Sequence, residues 1–249
     1  MIQLNEQEQF LCQVELPLAT RSYAPIPHAD LIKTMVEGVN NKGYEITGKR
    51  YWQNGTGTQL IGRYELNHTD TDMAMSIGFK NSYDKTMSAG CVAGAQVIIC
   101  SNGMLKGDFV FKRKHTGTAH EEMLDHIKES IDYSVVNFER LCQSRDAMKN
   151  FDMSQDMVNE LVGKLFIEQE ILRAEQLGIF KKEFKAKDQT FNYGVDKLSA
   201  WNIYNLCTYA VDQKTVPTLY VNQHGKLLDV FEDLVGVEQE DHSLILLDE

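Results

Sequence analysis

The chain has 249 residues, of which 43% are hydrophobic and 24% charged, the profile of a folded globular protein. A chain of this length buries a substantial core without disulfide or metal staples, and with four prolines and no low-complexity tract it is neither collagen-like nor a disordered linker. The formal charge of −11 is unevenly spread: residues 1–115 hold 12 Lys/Arg against 11 Asp/Glu, whereas residues 116–249 hold 13 against 25. Such asymmetry suggests an interaction surface on one part of the fold, although solvated acidic helix faces account for most of the acid excess.

The longest mostly apolar run, Cys91 to Cys100, is ten residues, half of what a membrane-spanning helix needs. The N-terminus MIQLNEQEQF lacks the basic and apolar regions of a secretory signal. Five cysteines, an odd number without CxxC spacing, fit a reducing compartment. The expectation is a cytoplasmic protein that spans no membrane.

In chain order, residues 1–27 read as an irregular lead-in, since Pro17, Pro25 and Pro27 discourage a helix. A helix starts near Pro27, with Leu31, Ile32, Met35, Val36 and Val39 at helical spacing and Gly43 to end it. Tyr44 to Gln53 and Thr58 to Asn67 read as two strands around Asn54-Gly55-Thr56-Gly57, a hairpin signal. His68 to Asp72 reads as a polar turn. Met73 to Asn81 alternates as a strand with one buried face. Val92 to Cys100 and Met104 to Lys114 are further strands, joined by a tight turn at Ser101-Asn102-Gly103.

The second half reads as helices. Thr118-Ala119-His120-Glu121 is a capping box that opens a long helix with an apolar stripe from Met123 to Leu141. Further helices are expected from Ser154 towards Leu177 with Gly178 as cap, from Asp196 to Val211, and from Gly225 to Val235. Segregated strands and helices indicate an α+β fold: an N-terminal helix, an antiparallel sheet of about five strands, a long helix and a C-terminal helical region. Residues 1–150 and 151–249 are the two expected units, the second acidic, and they pack together or fold apart.

Four chemistries are open to these residues. Cys91, Cys100, His115 and His120 are soft metal ligands, but their spacing lacks the tight knuckles of structural zinc sites, so no metal or other cofactor is expected. Asp84, Cys100 and His115 can be written as a catalytic triad only if the fold brings them together. Asn54 to Gly57 is not followed by Lys-Ser/Thr or a helix, so a hairpin explains it better than a phosphate loop. The fourth is a nucleic-acid surface. Lys49, Arg50, Arg63, Lys80, Lys85, Lys112, Arg113 and Lys114 lie on the sheet region, with Tyr51 and Trp52 among them. Cations that track phosphates and aromatics that stack on bases are what a single-strand binder needs.

Four stretches also occur together in order: Asn81-Ser82-Tyr83-Asp84-Lys85, the strand end VIICSN at 97–102, Lys114-His115-Thr116-Gly117, and WNIYNLCTYAVD at 201–212. In this order they resemble the phage/plasmid-like family of unknown function. Its members carry a Ser-His-Asp-Gly loop, a Cys-x-Asn, an Arg-His-Thr-Gly turn and a Trp-x-x-x-Asn-x-x-Thr helix. The loop departs from that pattern at Tyr83 and Lys85. The order of elements, a helix, a β-meander and a long helix, is also similar to the core of phage single-strand annealing proteins. These resemblances imply a non-enzymatic protein of a phage or plasmid replication or recombination module. It would bind single-stranded nucleic acid, perform annealing and assemble as a homo-oligomer. In that reading Lys112, Arg113 and Lys114 contact phosphates, the other cations extend the track, and Tyr51 and Trp52 stack on bases. The rival expectation is an acidic protein-binding module directed at a host protein, such as an inhibitor of a defence factor or an assembly partner.

Overall fold

Strand periodicity over residues 46–97 builds one antiparallel sheet, and helices from both ends of the chain pack against it. The computed structural model describes residues 5–21, 23–97, 103–105, 111–113, 119–186, 198–214 and 217–237. The strands are β1 (Ile46–Gln53), β2 (Gln59–Asp70), β3 (Met73–Ser82), β4 (Ala89–Val97), β5 (Gly103–Leu105) and β6 (Phe111–Arg113). Strands β1 to β5 lie side by side in chain order, and β6 pairs with β4 in place of a single fifth strand over Met104 to Lys114. The result is the α+β architecture expected from the sequence.

The helices are α1 (Glu6–Gln13), α2 (His28–Asn41), α3 (Ala119–Asn150), α4 (Gln155–Gly163), α5 (Ala174–Lys185), α6 (Ala200–Gln213) and α7 (Pro217–Val235). Helix α2 buries Leu31, Ile32, Met35, Val36 and Val39, the stripe read from the sequence. Gly43, at φ +82°, turns the chain into β1. Helix α3 lies against β3, β4 and β6.

Five local expectations are corrected. The lead-in contains α1, eight residues held by a capping box in which Asn5 and Glu8 bond each other's backbone amides. Its prolines all lie beyond the helix. Strand β2 runs on to Asp70, so the turn to β3 is only Thr71 and Asp72. Strand β3 is buried on both faces except at Lys80, because helices cover both sides of the sheet. The stretch after Ser154 is broken by a five-residue π-helical turn, Lys164–Glu168, and Gly178 lies inside α5 rather than at a helix end. Helix α7 begins eight residues before Gly225.

Buried side chains on both sides of residue 150 form one core cluster, from Leu31, Tyr64 and Phe79 to Trp201, Tyr204 and Phe231. Packing at Gly62 is especially tight. A Cβ there would sit 2.1 Å from Phe79 Cζ, so glycine lets the phenyl ring cross β2. Among the described residues no helix is long and apolar enough to cross a membrane.

Candidate nucleic-acid interface

Consecutive strand residues face opposite sides, so the run Lys49-Arg50-Tyr51-Trp52 divides between the two faces of the sheet. Trp52 lies opposite Ile61, Ile61 opposite Lys80, Lys80 opposite Gly90, and Gly90 opposite Lys112. These positions form one row across the sheet and share one face. The neighbouring row on that face holds Arg50, Arg63 and Gly78. The backbone register thus aligns Arg50, Trp52, Arg63, Lys80 and Lys112 on one side. Lys49 and Tyr51 lie on the other, and Arg113, opposite Ala89, falls out of the row.

Arg50 and Arg63 are directly opposed, an arrangement that is repulsive unless a counter-charge intervenes. Asp212 supplies it from the end of α6. Its Oδ2 lies 3.3 Å from Arg50 Nη1 and 3.9 Å from Arg63 Nη1. Its Oδ1 accepts a 3.0 Å hydrogen bond from His224 Nε2 on α7. Arg63 Nη1 also donates to the Tyr220 hydroxyl at 3.0 Å. Arg63, Asp212, Tyr220 and His224 are buried, whereas the Arg50 side chain is 38% exposed. Burial pushes the Asp212 carboxyl up, but the His224 hydrogen bond and the two guanidiniums outweigh it and hold Asp212 below the usual carboxylate range.

Trp52 sits on this cluster half-buried. Its ring lies 5.0 Å from the Arg50 guanidinium, 5.4 Å from that of Arg63 and 4.3 Å from the Tyr220 ring. Tyr220 also packs with Ile61, Val92 and Met87, covering the middle of the row. Trp52 and Lys80 remain partly exposed on either side of it.

The opposite face is closed by α1. Tyr51 donates to Glu8 Oε1 at 2.5 Å and shares a 2.8 Å bond with the Tyr64 hydroxyl. Lys49 Nζ reaches the same Glu8 oxygen at 2.9 Å. Burial raises Glu8, but its bonds to Tyr51, Lys49 and the Asn5 amide bring it below its ordinary value. Burial likewise drives the Tyr51 and Tyr64 phenols far up, so both stay protonated. Tyr51 is therefore a buried hydrogen-bonding residue and has no free ring face for a base. Arg63 is likewise enclosed, held by Asp212 and Tyr220.

The loop after β3 is clamped from within. His28 stacks on Tyr83 at 3.9 Å, and its ring nitrogens meet the Gly57 carbonyl and the Asn81 amide at 3.0 Å each. These partners fix the tautomer: Nε2 donates to Gly57 and Nδ1 accepts from Asn81. Asp84 is exposed and accepts bonds from Thr86 and Gln59, which draw it below the usual range against the opposing effect of burial. Lys85, at φ +65°, places its ammonium 4.6 Å from the Tyr23 ring. Cys91 is buried in the core. Cys100, Lys114 and His115 lie outside the described residues, as do the side chains of Lys112, Arg113 and His120.

The spacing Trp201, Asn205, Thr208 becomes one buried stripe of α6. Asn205 Nδ2 donates to the Trp201 carbonyl, Thr208 Oγ1 to that of Asn205, and the next position on the stripe is Asp212. Sequence reasoning missed Asp212, Tyr220, His224, His28 and Glu8. For Asp212 a signal existed: a polar residue at helical spacing within an apolar helix predicts a buried partner.

No curated protein and no solved structure matches the chain. A family model described as a domain of unknown function (DUF932) matches residues 16–235. By that match, which takes in the whole sheet and α2 to α7, the chain belongs to the DUF932 family.

Proposed function

We propose that this protein binds single-stranded nucleic acid along the sheet face that carries Arg50, Trp52, Lys80 and Lys112. The observation that supports it most is the backbone register, which puts two lysines and the half-buried tryptophan in one row, with the partly exposed Arg50 beside them. Cations at this spacing suit successive phosphates, and Trp52 offers a π-surface at the open edge strand β1. The reading is non-catalytic, and strand annealing in a phage or plasmid replication or recombination module is the activity it would serve. Lys114 and Arg113 lie next to the row in sequence, and Lys85 lies on the loop that follows β3.

The test is fluorescence anisotropy with a labelled single-stranded oligonucleotide at low and moderate salt. Binding should weaken steeply with salt, by a log–log slope of about −0.7 per phosphate contact. A folded Lys80→Ala/Lys112→Ala variant should bind more weakly and with a shallower slope. No binding at low salt, or unchanged binding by that variant, overturns the proposal. The first of these results would favour the acidic protein-binding module directed at a host protein.

A further inference from the structure

Two histidines, His28 and His224, are wholly buried, and they are held differently. Both ring nitrogens of His28 are bonded, and a proton added at Nδ1 would displace the Asn81 amide donor. His224 is bonded on one side. Its Nε2 donates to Asp212 Oδ1 at 3.0 Å, while Nδ1 is buried and has no hydrogen-bond partner among the described residues. A buried nitrogen left unmatched calls for a physical account. In the neutral ring Nδ1 carries a bare lone pair, which can take a proton without breaking any bond.

The charges around the His224–Asp212 pair decide when it does so. Asp212 comes from α6, Arg50 from β1, Arg63 from β2, and Tyr220 lies one turn earlier on α7 with its ring 4.5 Å from the imidazole. Burial pushes the phenols of Tyr204 and Tyr220 far up, so neither carries charge. With a neutral imidazole the group holds two positive charges and one negative. Arg50, on the same carboxylate, opposes a third positive charge on the ring. Of the two guanidiniums only Arg50 reaches solvent, its side chain being 38% exposed against 1% for Arg63. Arg63 cannot replace it on the carboxylate: Nη1 stands 3.9 Å from Oδ2, beyond hydrogen-bond length, and already donates to Tyr220.

We propose that His224 is a positioning residue that couples nucleic-acid binding to proton uptake. When a phosphate draws Arg50 from Asp212, the imidazole takes a proton from solvent at Nδ1 and supplies the positive charge that Arg50 withdraws. The coupling is reciprocal. A protonated His224 satisfies Asp212 and repels Arg50, which turns the guanidinium towards the phosphate. Affinity therefore rises as the pH falls, and Asp212 is never left without a full counter-charge. This inference rests on the reading of the Arg50–Trp52 face as the nucleic-acid surface.

The experiment has two arms, both on the full chain. In the first, anisotropy with the single-stranded oligonucleotide is measured at about pH 8 and about pH 5.5, across the range in which imidazoles change charge. Affinity should rise about five- to tenfold at the lower pH. In His224→Gln, whose amide still donates to Asp212 but takes up no proton, the rise should be lost. Thermal unfolding checks that this variant is folded. The second arm needs neither nucleic acid nor that variant's stability. Nuclear magnetic resonance should show His224 taking up its proton at a higher pH in Arg50→Ala than in the unaltered chain. An equal rise in folded His224→Gln, or an unmoved His224 titration in Arg50→Ala, overturns the inference and leaves the nucleic-acid reading standing. No binding at either pH overturns that reading and the inference with it.

Discussion

Glu8 and Asp212 are buried carboxylates on opposite faces of the same two-stranded ribbon, and they meet different company. Glu8 serves one ammonium and a pair of phenols, a group in which one positive and one negative charge balance within hydrogen-bond distance. Asp212 is shared between two guanidiniums and an imidazole. The first arrangement closes a face by docking α1 on it. The second holds cations together at the sheet surface and leaves Arg50 partly in solvent. The comparison shows why a run of adjacent basic and aromatic residues cannot be read as one surface: period-two alternation sends its members to different environments.

The largest expected effect is on the Asp212 side. Replacing Asp212 by Ala leaves Arg63 buried without its counter-charge, which costs about 3–5 kcal/mol. Thermal unfolding should show the midpoint lowered by roughly 6–20 °C. A smaller drop than that of Glu8→Gln would reverse the ranking of the two faces. Glu8→Gln keeps a polar group of the same shape and should cost about 1–3 kcal/mol, read in the same scans.

Acid should act on both faces in the same direction. The folded-state carboxyls of Glu8 and Asp212 titrate below their ordinary values of 4.5 and 3.8. Their stabilisation is therefore complete above those values and is lost as the pH falls through the depressed folded-state values. Urea titrations from pH 6 down to pH 3 should show stability declining below about pH 4.5. The decline should be shallower in Glu8→Gln, and an equal decline in that variant would remove Glu8 from the account.

The two faces should also differ in ligand binding. Trp52→Ala should weaken oligonucleotide binding by about 1–3 kcal/mol. Tyr51→Phe, one residue away, should leave affinity unchanged while lowering stability by about 1 kcal/mol. The smallest effect on binding is expected for Lys49→Ala, whose ammonium is paired with Glu8 on the other face. It should leave both the affinity and its salt slope as they are, and a flattened slope would put Lys49 back on the phosphate track.

Much of the architecture was legible before any tertiary contact. Helix α2, the β1–β2 hairpin, β3 and α6 follow from apolar periods of 3.6 and 2 and from turn residues with one conformational use. Helix α1 was missed because eight residues give little periodicity, and what stabilises it is the capping box of Asn5 and Glu8 together with the docking of Glu8 on Tyr51. The break at Lys164–Glu168 was missed because Leu161 and Leu165 continue a helical spacing across it, so the period persists although the hydrogen-bond pattern changes. The candidate site was legible as residue types and not as an arrangement.

The sequence by itself determined the α+β class, the meander and the asymmetry of charge, because these depend on local periodicity and on counting. Tertiary structure decided which cations are available. Arg63 and Arg50 have the same side chain on facing strands, yet one is sealed under Tyr220 and the other reaches water, because α7 covers only part of the face. It also decided that Asp212, remote in sequence from both, is their counter-ion. A buried charge is tolerated only where a distant element brings the opposite charge to it.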